Sequence, residues 1–199
     1  MKIILASQSP RRKELLERMG ITDFEVIPAR GAEIFTRSLT PSQLVEELSQ
    51  NKCAEVAAAH PDDLIIAADT VVAVNSRVLG KPRSEEDAAR MLSALSGQLN
   101  MVYTGVTVAL GGERVTEHEI TSVRFRPLTQ ADIVRYIATG EPMDKAGAYG
   151  IQGYGCVLVE SISGDYYNVM GLPVFRLSGL LARFGVDPLA LAAEKEQRA

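Results

Sequence analysis

Apolar residues in this chain fall in short blocks whose spacing switches between that of strands and that of helices. Ile3 to Ala6 is a continuous apolar run and reads as a short buried strand. Ser9-Pro10 behind it places an N-cap residue before a proline at the first helical position, which predicts a helix over Pro10 to Met19 stopped by Gly20. Thr40-Pro41-Ser42-Gln43 has the form of a capping box and opens a second helix reaching about Ala59. Leu64 to Ala68 is apolar without interruption, as in a strand buried on both faces, and the pattern predicts that this strand ends at Asp69-Thr70. Val71 to Val74 and Val78-Leu79 flank Asn75-Ser76-Arg77 as a small hairpin. Ser84 caps a third helix, in which Ala88, Met91, Leu92 and Leu95 keep i, i+3, i+4, i+7 spacing before Gly97. Strands over Val102 to Leu110 and Arg114 to Phe125 meet at Gly111-Gly112, a hairpin signal. A capped helix over Thr129 to Thr139, a strand over Cys156 to Ile162 and an amphipathic helix over Val174 to Phe184 follow.

Helices interspersed with buried runs and hairpins point to an α/β fold with a mixed sheet rather than a regular doubly wound one. The expected organisation is one domain over residues 1–185 and a frayed C-terminal tail over 186–199. At 199 residues, 46% of them hydrophobic, the chain can bury a core without disulfides or metal staples. Cys53 and Cys156 have no CxxC spacing and read as reduced thiols. The apolar opening stops at Ser7, and no run of 18 uncharged apolar residues follows, so a cytoplasmic protein without a membrane span is expected. With 25 acidic against 21 basic side chains, the net charge of -4 argues against a general nucleic-acid or membrane-surface binder, because both need a dense cationic face.

Some residues fit a purely structural account poorly. Arg11, Arg12 and Lys13 occupy the opening turn of the first helix, where the helix dipole is already positive. A bound polyphosphate enclosed by Ser7, Ser9, the helix N–H groups and the arginine forks would reverse that cost; a solvated basic turn is the bland alternative. Lys52 interrupts the apolar stripe of Val45, Leu48 and Val56, either by snorkelling to water or by offering an ammonium to phosphate. Asp69 and Thr70 deliver a carboxylate and a hydroxyl at the end of a strand, the edge at which open α/β sheets bind ligands; an Asp helping a strand turn is the bland alternative. Gly80-Lys81-Pro82 puts a lysine in a tight turn. The glycine-rich stretch from Asp144 to Gly155 permits close backbone approach to a ligand, with Gln152 offering a donor and an acceptor; a plain bend between strands is the competing reading. No GxxxxGK[ST] or GxGxxG loop occurs, and two histidines with two distant cysteines make a zinc site a poor fit, while oxygen ligands for magnesium or manganese remain.

Together these segments resemble the Maf family of nucleoside triphosphate pyrophosphatases. The carrying stretches are Leu5-Ala6-Ser7-Gln8-Ser9-Pro10-Arg11-Arg12, Ala68-Asp69-Thr70-Val71-Val72, Gly80-Lys81-Pro82, Asp144 to Gly153 and Gly164 to Pro173, in order across nearly the whole chain. The resemblance implies a two-lobed α/β fold of the Maf and inosine-triphosphatase kind, with an elongated mixed sheet flanked by helices and a central cleft. It implies cleavage of a nucleotide between the α and β phosphates, with a divalent cation (Mg, Mn or Co) as cofactor. The family's base or metal-holding carboxylate matches Asp69, its second acidic position Glu33, and its cationic phosphate contacts Arg12, Lys52 and Lys81. Ala32 stands where the family usually has the first of an acidic pair. At Arg11, Thr70 and Gln152 the chain is similar to the branch acting on thymidine and uridine triphosphates. The expected partner is therefore a nucleoside triphosphate; family members are often dimers, so the resemblance leaves a homodimer open, while the sequence itself does not give the oligomeric state. Alternatives are an inosine-type purine nucleotide pyrophosphatase and a non-catalytic nucleotide-binding regulator of septum formation.

Overall fold

In the computed structural model, which describes residues 1–31 and 39–198, the opening apolar run forms β1 (Ile3–Leu5), followed by α1 (Pro10–Arg18), β2 (Glu25–Val26) and α2 (Pro41–Ala59). The chain continues through β3 (Leu64–Val74), β4 (Arg77–Leu79), α3 (Glu85–Leu95), β5 (Leu99–Leu110), β6 (Glu113–Phe125) and α4 (Gln130–Ile137). Three 3-10 turns at Glu141–Asp144, Ala146–Ala148 and Tyr154–Leu158 lead into β7 (Val159–Ser163), α5 (Tyr166–Met170), α6 (Val174–Arg183) and α7 (Pro188–Arg198). The described strands form a seven-stranded sheet in the order β2-β1-β3-β5-β6-β7, with β4 paired to β3. Pairing of β1 with β2 and β3 is parallel, whereas β3 with β4 and β6 with β7 are antiparallel. The α/β class with a mixed sheet is as the sequence predicts.

Two compact units divide the chain: one contains Met1–Asp69, Thr104–Glu119 and Gly171–Ala199, the other Thr70–Tyr103 and Ile120–Met170. In the first, Ile4 and Ala6 of β1 and its exit lie beside Ile65 and Ala67 of β3, and this apolar row is covered by Cys53 and Val56 of α2. The helix comes very close to the sheet. A Cβ added at Gly105 of β5 would stand 2.2 Å from the Val45 carbonyl oxygen and 2.8 Å from the Glu46 nitrogen. Ser49 then meets Thr107 through their hydroxyls at 2.9 Å. Burial pushes the Cys53 thiol up to about 12, so this cysteine serves as a small apolar filler.

In the second unit, α3 and α4 pack Leu92, Leu95, Ile133 and Ile137 against Val102, Val123 and Phe125 of β5 and β6. The Phe125 and Tyr149 rings meet edge to face with centroids 4.8 Å apart. Tyr149 donates its hydroxyl to Asn100 Oδ1 at 3.2 Å, and Asn100 Nδ2 donates to the Val123 carbonyl at 2.9 Å. A fully buried asparagine is thereby satisfied within the core.

Capping boxes form at Thr40–Gln43 and Thr129–Asp132, and Ser84 caps α3 through its hydroxyl. Other boundaries differ from the sequence pattern. β3 does not end at Asp69 but runs on to Val74, since the carboxylate is compensated by a lysine from α2 and the apolar row resumes at Val71. Ser9 sits at the N-cap position of α1 without a side-chain cap bond, and its own N–H donates to Ser7 Oγ at 3.2 Å. The hairpin turn is Asn75-Ser76 alone, both in the left-handed region (φ 48° and 60°), with Arg77 already paired to Val74. A 3-10 turn takes up Tyr154–Leu158, so β7 starts at Val159 rather than Cys156. Beyond Val186, Pro188–Arg198 forms α7, with Asp187 Oδ1 accepting from the Leu189 N–H at 2.9 Å.

The close approach at Gly105 gives a stability test. Gly105→Ala should destabilise the protein by about 1–3 kcal/mol, the usual cost of overpacking against backbone that cannot move aside. Gly179→Ala, in α6 with open space around it, should instead stabilise by about 0.5–1 kcal/mol. Chemical denaturation of the two variants beside the parent measures both signs; equal stabilities would contradict the packing described.

Candidate active site

α1 opens directly behind β1, and the chain between them places Ser7 at 8% exposure. Ser7 Oγ accepts from the Ser9 N–H and, at 3.1 Å, from Arg12 Nη1. Arg12 Nε donates to the carbonyl of Gly171 at 2.7 Å. Gly171 lies at φ 108°, a backbone conformation natural to glycine, and this turns its carbonyl toward the guanidinium. Both of these acceptors are neutral dipoles that orient the guanidinium. No acidic residue stands in the first turn of α1, and Arg11, Arg12 and Lys13 add to the positive end of the helix dipole. Arg11 and Arg12 project about 100° apart around the helix and therefore face different surroundings.

The second cluster lies where α2 covers β3. Alternation along the strand puts Asp69 in the row of Ile65 and Ala67, under α2. Lys52 Nζ donates to Asp69 Oδ1, and the side chains keep 25% and 12% of their exposure. The lysine that breaks the apolar stripe of α2 is thus held against the one charged residue of the strand beneath it. Thr70, next in the strand, projects to the opposite side and belongs to the other unit. Glu33 lies outside the described residues. Just before that segment, Glu55 of α2 accepts from the Arg30 and Gly31 N–H groups at 2.6 and 2.9 Å, which fastens the chain to the helix.

In the second unit three sequence motifs converge. The Gly147 N–H donates to the Gly80 carbonyl at 3.0 Å, and a Cβ at Gly147 (φ 68°) would stand 2.9 Å from Val72 Cγ2. The turn carrying Lys81 is therefore tied to the glycine-rich segment, and both are tied to the second half of β3. Lys81 and Gln152 are exposed, while Pro82 between them in sequence is buried.

Sequence reasoning passed over Glu141. Its carboxylate accepts from the Tyr154 N–H at 2.8 Å, the Gly155 N–H at 3.0 Å and the Tyr136 hydroxyl at 2.8 Å. A glutamate beside a proline in a loop reads as merely solvated, and no spacing rule singles it out. Gly171 was legible only as part of a motif, without the task of holding Arg12.

Among the described residues no group of three or more His, Cys, Asp or Glu side chains could hold a metal. Of the two carboxylates expected to hold a metal, Asp69 lies among the described residues, and a hard divalent cation keeps waters and takes phosphate oxygens, so one or two carboxylates suffice. The donor set fits a cation that arrives with a phosphate ligand. No described helix is long and apolar enough to cross a membrane.

The model of the family described as Maf-like protein matches residues 2–184. A dTTP/UTP pyrophosphatase of Moorella thermoacetica is 53% identical over 189 residues, which cover 94% of this chain and 96% of that protein. A dTTP/UTP pyrophosphatase of Agathobacter rectalis is 51% identical, covering 94% of this chain and 98% of its own. Among solved structures, a nucleoside-triphosphatase, or dITP/XTP pyrophosphatase, of Mycobacterium abscessus is 16% identical, with a TM-score of 0.45, over 64% of this chain and 76% of that one. A family model spanning nearly the whole chain, together with relatives sharing half its residues, means that the chain belongs to the Maf family.

Proposed function

We propose that this protein hydrolyses dTTP and UTP between the α and β phosphates, releasing the nucleoside monophosphate and pyrophosphate. The observation that carries the reading is Arg12, oriented by Ser7 and by the Gly171 carbonyl at the positive end of α1. Such a cation fits a polyphosphate, and relatives sharing half the sequence are named dTTP/UTP pyrophosphatases.

In this reading Arg12, Ser7, Ser9 and Lys81 bind the triphosphate, and the N–H groups opening α1 add to the field that receives it. Asp69 accepts a hydrogen bond from the attacking water and takes its proton. The water oxygen bonds to phosphorus, the bond from that phosphorus to the bridging oxygen breaks, and the leaving phosphate departs with the electron pair. Attack on either side of the anhydride gives the same products. Lys52 holds Asp69 in place through their ion pair and, with Arg12 and Lys81, stabilises the charge that grows on the phosphate oxygens. A divalent cation (Mg, Mn or Co), held by Asp69 and Glu33, would neutralise phosphate charge and polarise the reacting oxygens. Arg11, Thr70 and Gln152 choose the base, since an amide can match the donor and acceptor edge of uracil or thymine. The proposal extends to a cytoplasmic location, supported by the two free cysteines, and to a second copy of the chain as partner, supported by the family resemblance.

Purified protein should convert UTP and dTTP to monophosphate and pyrophosphate only with added divalent metal. Primary release of orthophosphate, or full turnover in excess chelator, contradicts the reading. Asp69→Asn keeps an acceptor for Lys52 but no proton-accepting carboxylate, and should lower kcat by roughly 10²- to 10⁴-fold with an unchanged circular dichroism spectrum. Near-parental kcat at saturating metal would remove Asp69 from the catalytic role.

A further inference from the structure

Gln152 sits in a turn whose two ends are fastened to one pair of hydrogen-bonded side chains, Tyr136 and Glu141. On the N-terminal side, the Gly150 N–H donates to the Tyr136 hydroxyl oxygen at 3.0 Å. On the C-terminal side, the Tyr154 and Gly155 N–H groups donate to Glu141 at 2.8 and 3.0 Å. The two anchors are joined, because the Tyr136 hydroxyl donates to Glu141 Oε1 at 2.8 Å. Every hydrogen in this arrangement has one acceptor, so the chain of donors runs from backbone to phenol to carboxylate without conflict.

The glycines of this stretch make room for that brace. A Cβ at Gly153 would stand 2.0 Å from Glu141 Oε2. One at Gly155 would lie 2.6 Å from the Gly150 carbonyl oxygen and 2.7 Å from the Tyr136 hydroxyl. One at Gly150 would meet Lys145 Cε at 3.0 Å and Glu141 Oε1 at 3.2 Å. The glycine-rich segment therefore approaches the protein's own side chains at these three positions, where the sequence suggested approach to a ligand. Ile151 is buried within the turn while Gln152 is exposed, so the clamp leaves the amide on the outside.

Tyr136 itself is 5% exposed on α4, a helix already secured by its Thr129–Asp132 capping box and by Ile133 and Ile137 in the core. Its hydroxyl is thus separable from its packing. Burial pushes the Glu141 carboxyl up, yet the Gly155 and Tyr154 N–H groups, the Tyr136 hydroxyl and the Lys145 ammonium together hold it below the usual carboxylate range. The depressed direction means that the brace is ionised at neutral pH and that its contribution is lost only as pH falls through the folded value.

We infer that Tyr136 and Glu141 are positioning residues for base choice: they hold the Gln152 turn in one conformation, so that its amide is presented to the base already ordered. The inference rests on the reading that Gln152 recognises the pyrimidine. Ordering a loop and its side chain costs free energy at the moment of binding unless the free protein has already met that cost. Removal of the brace should therefore weaken the interaction with the preferred base and leave the phosphate contacts alone.

The test compares the parent with Tyr136→Phe, Gly153→Ala, Gln152→Ala and the Tyr136→Phe/Gln152→Ala double variant. Tyr136→Phe removes only the hydroxyl, and Gly153→Ala pushes the Glu141 carboxylate aside without removing it. For each, kcat/KM is measured for UTP and GTP, together with the inhibition constant of pyrophosphate, which probes the phosphate contacts without a base. Tyr136→Phe and Gly153→Ala should each lower the UTP over GTP ratio about tenfold, mainly through KM for UTP, with pyrophosphate inhibition little changed. In the double variant, Tyr136→Phe should add nothing to the loss caused by Gln152→Ala. The inference is overturned if Gln152→Ala lowers the ratio but Tyr136→Phe does not, if the two losses add, or if UTP, GTP and pyrophosphate all weaken together. If Gln152→Ala leaves the ratio unchanged, the reading of Gln152 fails first and the inference falls with it.

Discussion

The Val45 carbonyl occupies the space in which a side chain of residue 105 would stand, and the placement of α2 follows from that contact. A helix normally keeps its axis about 10 Å from a sheet because side chains intervene on both surfaces. Here one of them is missing, and the helix settles locally onto the strand. The Ser49–Thr107 pair fixes its position along the strand, and Cys53 and Val56 fill the row above Ile65 and Ala67. Lys52 is then carried to Asp69. The ion pair is thus the end point of a packing arrangement, and its geometry is set by backbone contact rather than by attraction between two flexible charges.

The cations of the proposed phosphate contacts are held in different ways. Arg12 is oriented by a hydroxyl and a carbonyl, dipoles that direct the guanidinium fork. Lys52 is engaged by a carboxylate, so its charge is partly spent on the protein. Lys81 is exposed at the tip of a turn secured by backbone contact with Gly147. In the proposed mechanism, one oriented fork, one paired ammonium and one exposed ammonium would answer to different stages of a reaction in which negative charge moves toward the leaving phosphate.

Local signals were legible wherever a short stretch determines its own structure. Thr40, Ser84 and Thr129 cap the helices that their sequences announce, and Ile3, Leu64 and Val102 lie in the strands that their apolar runs predict. Asp69 was misread as the end of a strand because the residue that makes its burial tolerable, Lys52, lies 17 positions earlier on a helix. The same distance problem hides Glu141, which becomes informative only once Tyr136 and Gly155 are seen around it, and Gly105, whose missing side chain means nothing without Val45. Gly153 and Gly155 read in the sequence as room for a ligand, and in the fold Glu141, Tyr136 and the Gly150 carbonyl stand where their side chains would be. A sequence records where side chains are absent, and only the fold says what enters the gap.

The hydrogen bond from Arg12 to Gly171 spans 159 positions of the chain. During translation the α1 segment leaves the ribosome long before its arginine has this acceptor. At about 5–20 residues per second, the wait is on the order of ten to thirty seconds. A nascent chain can build its first helix and still lack the carbonyl that aims the guanidinium. The guanidinium thus reaches its final orientation only after residue 171 has been made.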